Sequence, residues 1–259
     1  MRYVFLIILV VYVLIAVATM SFAAVYGLNS RSGEFELDNS EFLSITDASQ
    51  TGLDITGDMT VVAWVNPEDL SNNAIVGKWN STGNQRGYIF HLVTAIRTDF
   101  RFSTTGTDAN THVCNAGEGV ALNVWTHVAV TYDASAGTCL QYKNGQHIYT
   151  EASLGNVIND STATFSIGRR DDGDLFFDGL LDEVMIFDRI LTGAEINDLY
   201  TRKGQKPFGW DANLQGYWQL NELSGTRTDQ TDNANDLTDN NTVTALTDVP
   251  FVGSIPGGI

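Results

Sequence analysis

From Arg31 onward the chain is written in short apolar runs separated by clusters of Gly, Asn, Asp and Ser, and no helical periodicity interrupts them before Thr192. Such a pattern predicts strands. The runs fall at Glu34 to Leu37, Phe42 to Ile45, Met59 to Val65, Tyr88 to Val93, Phe100 to Thr104, Trp125 to Tyr132, Leu140 to Lys143, Thr164 to Ile167 and Glu183 to Phe187. In WTHVAVTY, Thr126, Val128, Val130 and Tyr132 form one alternating set and Trp125, His127, Ala129 and Thr131 the other, as a half-buried strand requires. His127 thus sits on a strand face beside Trp125 and reads as a packing histidine rather than a catalyst. Asn144-Gly145 after CLQYK is a hairpin signal, since both central residues of the favoured turn need positive φ, and Asp171-Asp172-Gly173-Asp174 marks another turn. One helix is expected, in LTGAEINDLY. There Thr192 and Glu195 have capping-box spacing, and Ile196, Leu199 and Tyr200 make one apolar stripe. Many strands of even spacing followed by one short helix predict an all-β protein of two antiparallel sheets packed face to face.

The first residues change where this domain is expected to reside. MRYVFLIILVVYVLIAVATMSFAA has one basic residue, an apolar run from Tyr3 to Ala18 and small residues around Ser21-Phe22-Ala23, the pattern of a secretory signal peptide over residues 1–23. The run also approaches the ~20 residues of a membrane-spanning helix, so an uncleaved anchor is the alternative. Either way the remainder lies outside the cytoplasm, secreted or at the cell surface. In that compartment the two cysteines, Cys114 and Cys139, favour a disulfide, the alternative being two separately buried thiols. With 14 Lys and Arg against 31 Asp and Glu, the formal charge of −17 repels phosphate backbones and anionic headgroups, which argues against nucleic acid and membrane surfaces as partners.

The words FELDNSEFLSI, DMTVVAWVNPEDL, NVWTHVAVTYD, LQYKNGQ, TFSIGRR and FDGLLDEVMIFDRILTGAEINDLY, in that order, resemble the laminin G-like, concanavalin A-like jelly-roll domains. The resemblance covers about Arg31 to Arg202 and implies a jelly-roll sandwich of two curved sheets over residues 31–204, usually extracellular. Such domains commonly bind carbohydrate or protein and often hold calcium. Fold follows from such a likeness more firmly than function does.

One piece is displaced. The first strand of these domains looks like GYWxLxExSG, and nothing of that kind precedes Phe35; instead GYWQLNELSG stands at residues 216–225, after the closing helix and a linker that begins at residue 205. Three arrangements fit: the segment through residue 259 folds back into its own domain as a circular permutation, it inserts into another copy and makes oligomers by strand exchange, or it is the stump of a second repeat. An empty edge position and an orphaned Tyr217, Trp218 and Leu220 would both be costly, which places the in-chain arrangement first.

Candidate chemistry is sparse. A glycosidase of this superfamily needs two carboxylates alternating on one strand, and a Glu-x-Asp-x-x-Glu pattern is absent; Asp182-Glu183 are adjacent and are expected on opposite faces. No enzymatic activity is expected. By resemblance, calcium would sit where the polar loop after the first strand meets the Asp-Glu strand, with Asp229, Asn233, Asn235, Asp182 and Asp38 as oxygen donors. Sugar recognition asks for aromatic faces and planar polar groups, which Trp79, Asn80, Arg86, Tyr88 and Arg101 offer in or beside loops; Trp64 and Trp125 resemble core positions and are set aside. Asn80, Asn159 and Asn240 stand in glycosylation sequons. The reading is an exported carbohydrate-binding or adhesion module whose partner is a glycan or an extracellular protein. The alternatives are a surface assembly protein and, more remotely, a glycan-active enzyme.

Overall fold

The computed structural model describes residues 30–69, 73–94, 97–202 and 211–250. The N-terminal apolar run and the linker around residues 203–210 lie outside them. Among the described residues no helix is long and apolar enough to cross a membrane.

The strands are β1 (Ser32–Phe35), β2 (Phe42–Ile45), β3 (Met59–Pro67), β4 (Asn73–Asn80), β5 (Gln85–Val93), β6 (Arg97–Ser103), β7 (Thr111–Gly119), β8 (Thr126–Asp133), β9 (Thr138–Lys143), β10 (Gln146–Glu151), β11 (Phe165–Ile167), β12 (Gly179–Phe187), β13 (Leu214–Trp218), β14 (Thr238–Asn240) and β15 (Thr244–Leu246); the helix is α1 (Gly193–Arg202). They form two antiparallel sheets. One has eight strands in the order β10-β9-β8-β3-β12-β1-β15, with β13 also on β12; the other has seven in the order β14-β2-β11-β4-β5-β6-β7.

Alternation along the strands fills the space between the sheets. Val61, Ala63 and Val65 of β3 and Val128, Val130 and Tyr132 of β8 meet Phe90 and Leu92 of β5 and Phe100 and Phe102 of β6 in one continuous core. Cys114 on β7 and Cys139 on β9 form a disulfide and tie the two sheets together. The Asn144-Gly145 turn joins β9 to β10 with positive φ at both residues. Five strands escape the sequence pattern, the three-residue β14 and β15 among them. In NAIVGKWN of β4 the apolar run is broken by Gly77 and Lys78, in β7 Asn and Gly dilute the alternation, and β10 is an edge strand that is mostly exposed.

The strand position beside β12 is shared by two distant pieces of chain. On the edge of β12 opposite β3, Gly33 to Phe35 of β1 pair with Leu181 to Gly179, and Leu214 to Trp218 of β13 pair with Phe187 to Val184. The two segments run the same way, end to end, and a side chain at Gly33 would touch Leu220. Beyond β13 the chain adds β14 to β2 of the seven-stranded sheet and β15 to β1 of the other. Trp218 is fully buried, its ring 5.1 Å from that of Phe165, and its indole N–H donates to the Asn235 carbonyl at 2.9 Å.

Where β1 and β13 meet, β12 bulges. The register with β3 shifts between Asp182 and Met185, and Glu183 takes a left-handed φ of 50°. The extra residue overturns the expectation that Asp182 and Glu183 point to opposite faces. Leu181 and Val184 enter the core, Asp182 pairs with Trp64, and the Glu183 carboxyl receives the Tyr217 hydroxyl on the outer side. Both carboxyls are therefore on the outer face, and both are buried. Burial, followed by the nearby Asp182, pushes the Glu183 carboxyl well above its usual range.

Candidate functional site

The two sheets turn differently furnished faces outward. Over the eight-stranded sheet, α1 closes down: Ile196 and Leu199 pack with Val62, Ala129, Met185, Phe187, Leu191, Leu214 and Tyr217. Its start is fixed by the expected capping box, in which the Thr192 N–H donates to Glu195 Oε2 at 2.7 Å and the Glu195 N–H to Thr192 Oγ1 at 3.3 Å. Tyr200 stacks on Trp64 with centroids 5.6 Å apart, and the His127 ring lies 5.2 Å from Trp64 and 5.8 Å from Tyr200. His127 is a packing histidine, set against Trp64 and Tyr200. Burial drives it down to about 3, so the ring is neutral at physiological pH. Trp64 is thus buried against the helix, outside the inter-sheet core, while Trp125 is half-buried and donates its indole N–H to Asp248 Oδ1 at 3.1 Å.

Over the seven-stranded sheet no α-helix lies among the described residues. A loop spanning residues 168–178 folds across β4, its ends joined where the Phe177 N–H donates to the Gly168 carbonyl at 2.8 Å. Within it the Asp171 N–H reaches the Trp79 carbonyl at 3.1 Å and the Leu175 carbonyl accepts the Ala74 N–H at 2.9 Å. Leu175 covers a small apolar patch of Ala74, Trp79 and Ile89. Charge holds the rest: Arg170 donates to Asp172 at 2.6 Å and to Asp174 at 2.9 Å, Asp172 accepts the Ser81 N–H at 3.1 Å, and the Arg169 guanidinium lies 3.5 Å over the Phe42 ring, which in turn meets Phe176 edge-on.

Beside this loop lies a polar constellation. β5 and β6 pair His91 with Asp99, and alternation puts Arg101 on the same face. Asp99 is fully buried and its Oδ2 accepts from Arg101 Nε at 3.1 Å and Nη2 at 2.8 Å; His91 Nε2 lies 3.6 Å from the same oxygen. Neither ring nitrogen of His91 makes a hydrogen bond, nor do Asp99 Oδ1 and Ser166 Oγ on the same face. Burial lowers the His91 ring, so it is neutral near pH 7, with Asp99 opposing that shift and Arg101 and Arg170 adding to it. Burial alone would raise the Asp99 carboxyl, yet the neighbouring His91 and Arg101 hold it below its usual range. An ionised carboxylate with an arginine clamped on it results, and the Arg101 side chain stays 38% exposed.

The sugar-binding candidates divide between this face, the core and the loops. Arg101 belongs to the constellation just described. Trp79 lies on the face under Leu175 and is nearly fully buried, so its ring is not offered to a ligand. Tyr88 points into the core, where its hydroxyl donates to the Leu53 carbonyl at 3.0 Å. Asn80 donates to Asp171 at 3.1 Å and anchors the loop, while Arg86 donates to the Gly106 carbonyl at 3.3 Å at the sheet's end. Sequence reasoning missed His91, Asp99, Phe42, Arg169 and Phe176. The signal available was TDFRFS, in which Phe100 and Phe102 alternate with charged residues on an interior strand.

The calcium candidates are similarly dispersed. Asp229 accepts the N–H groups of Tyr217 at 2.9 Å, Thr231 at 3.0 Å and Asn235 at 2.9 Å. The Asn235 amide donates to the carbonyls of Thr51 and Gln215, and Asn233 also donates to Gln215. These three residues close the loop after β13 onto the body of the domain. Asp182 lies on the outer face of β12, and Asp38 is exposed in a short turn between β1 and β2. Among the described residues no three His, Cys, Asp or Glu side chains gather closely enough to hold a metal ion.

An antiparallel sandwich of this strand order, with one short helix on one face, defines a jelly-roll module. Residues 37–197 match the family model of the Concanavalin A-like lectin/glucanases superfamily, of laminin G type, and the chain belongs to that family. Over 172 residues, 63% of its length, it is 24% identical to adhesion G-protein coupled receptor V1 of Danio rerio, of which it spans 3%. Among solved structures it resembles a putative carbohydrate binding protein of Bacteroides ovatus, with a TM-score of 0.64 at 19% identity, over 84% of this chain and 59% of that one. It also resembles the CBM40 domain of the Ruminococcus gnavus IT-sialidase, solved with α2,3-sialyllactose, with a TM-score of 0.54 at 16% identity, over 65% of this chain and 96% of that one. At such identities these two likenesses speak to the fold.

Proposed function

We propose that the chain is an exported, non-catalytic carbohydrate-binding and adhesion module that reads its ligand on the outer face of the seven-stranded sheet, between the loop 168–178 and β7. The observation that carries this is the Asp99–Arg101 pair. A fully buried carboxylate fixes a partly exposed guanidinium on a rigid strand, and sugar hydroxyls are recognised by planar donors held in this way. Around it, Val113 is 39% exposed directly across β7 from Arg101, and Asn115 pairs with Asp99, which supplies an apolar contact and an amide on one floor. The names of the relatives agree with the class: one is a putative carbohydrate binding protein and another an adhesion receptor. The disulfide between the sheets suits an oxidising, extracellular setting.

A glycan array probed with the full chain tests the reading. Binding to a defined subset of glycans, lost in Arg101→Ala while the protein remains folded by circular dichroism, is the expected result. Silence across the array, together with concentration-dependent oligomers, would instead favour an assembly protein.

A further inference from the structure

Resting on that reading of the face, we infer that Arg101 makes it selective for a sugar carrying a carboxylate, displayed on an otherwise neutral glycan. Four arginines lie on or beside this face, and their commitments differ. Arg97, on the same side of β6 as Asp99, donates from Nε to the Thr94 carbonyl at 3.4 Å. Arg170 spends Nε on Asp172 and Nη2 on Asp174. Arg169 is laid flat on Phe42 with only 18% of its side chain exposed. Arg101 directs both its bonds to a single oxygen, Asp99 Oδ2, and among the described residues its Nη1 donates to none. The edge of the guanidinium that includes Nη1 is therefore free, and a guanidinium edge matches the two oxygens of a carboxylate.

The groups beneath keep that edge in place. Asp99 is fully buried and His91, 3% exposed and neutral, stands 3.6 Å from the same carboxylate oxygen. Arg101 is thus anchored at its inner end by a group that cannot follow it outward. Unfilled polar capacity at the His91 nitrogens and Asp99 Oδ1 costs stability; His127 is as unfilled under α1, but the His91 and Asp99 atoms lie beside a guanidinium that stays 38% exposed. The surroundings also limit what the anion can be. With 31 acidic residues against 14 basic, the chain repels a polyanion at long range, whereas a single carboxylate meeting Arg101 at contact distance is within the reach of one guanidinium. Val113, exposed across from Arg101, offers the same sugar an apolar contact.

Calorimetry on the full chain decides the matter with three sets of probes: neutral oligosaccharides, the same oligosaccharides ending in a uronic or sialic acid, and the methyl esters of those acids. The acid should bind roughly tenfold or more tightly than its own ester, as charge-assisted bonds differ from neutral ones. Arg101→Gln should bring acid and ester to equal affinity while the protein stays folded, with a lowered melting temperature because the buried Asp99 loses its charged partner, and Arg101→Lys should restore part of the difference. Equal binding of acid and ester by the unaltered protein would overturn the inference and leave the glycan-binding reading standing. So would an acid-to-ester ratio that survives in Arg101→Gln. Failure of every probe to bind would overturn both.

Discussion

The outer faces of the two sheets are made from the same kind of strand and end in opposite conditions. On the eight-stranded sheet the outer side carries an apolar cluster that includes Val62, Ala129, Met185 and Phe187, and α1 covers it until even His127 is dry, with Asp182 and Glu183 buried on the same side. On the seven-stranded sheet the corresponding positions carry His91, Asp99, Arg101 and Ser166, and the cover is a charged loop that meets the sheet through one small apolar patch. Apolar burial is non-directional and additive, so the first face contributes stability wherever it is closed. The second is held by paired charges and leaves polar atoms unfilled, which contributes little to stability and keeps donors in fixed directions. One face serves the fold, and the other is the one proposed for recognition.

Substitutions should separate the two. The largest effect is expected where the C-terminal segment enters the core: Trp218→Ala should cost about 3–5 kcal/mol in denaturant unfolding. A loss below 1 kcal/mol would mean that β13 does not complete the domain. Replacing Cys114 and Cys139 by Ser should cost about 3 kcal/mol, because the bond closes a loop across both sheets. This is measured by comparing melts with those of the reduced protein.

The closed face should also show in the pH dependence. The His127 value of about 3 in the fold is below its ordinary value near 6.5, so on acidification the unfolded chain takes up this proton first. Its contribution is fully present above about pH 6.5 and falls by about 1.4 kcal/mol per pH unit from there toward pH 3. His127→Phe should therefore match the unaltered protein at pH 7 and surpass it at pH 4; parallel stability curves would show that the ring is solvated. Smaller still, Thr192→Ala should cost about 1 kcal/mol through loss of the helix cap. Breaking the Arg170–Asp172 pair on the open face should cost less than about 1 kcal/mol.

Much of the fold could be read along the chain because period-two alternation, Asn-Gly turns and the capping box are local signals, and these located most strands of β1 to β12 together with α1. The site was only partly legible. Trp79 and Tyr88 carry the right chemistry for sugar, yet one is covered by Leu175 and the other faces the core, since register shifts between β4 and β5, one at Ala74–Val76 and one at Arg86–Tyr88, set which way each strand turns its side chains. Asp99 was passed over because a carboxylate on an interior strand takes its meaning from what the next strand places opposite, here His91.

By itself the sequence determined the two-sheet class, the helix and its cap, the acidic net charge, and the displacement of GYWQLNELSG to the far end of the chain. Tertiary structure alone decided where that segment goes: β13 lies in line with β1 on one edge of β12, a bulge at Glu183 accommodates the junction, and both acidic side chains of that bulge turn outward together. Tertiary structure also decided which sheet face was sealed and which was left polar. Periodicity tells a strand which residues share a side, but which side is covered depends on elements that return from elsewhere in the chain.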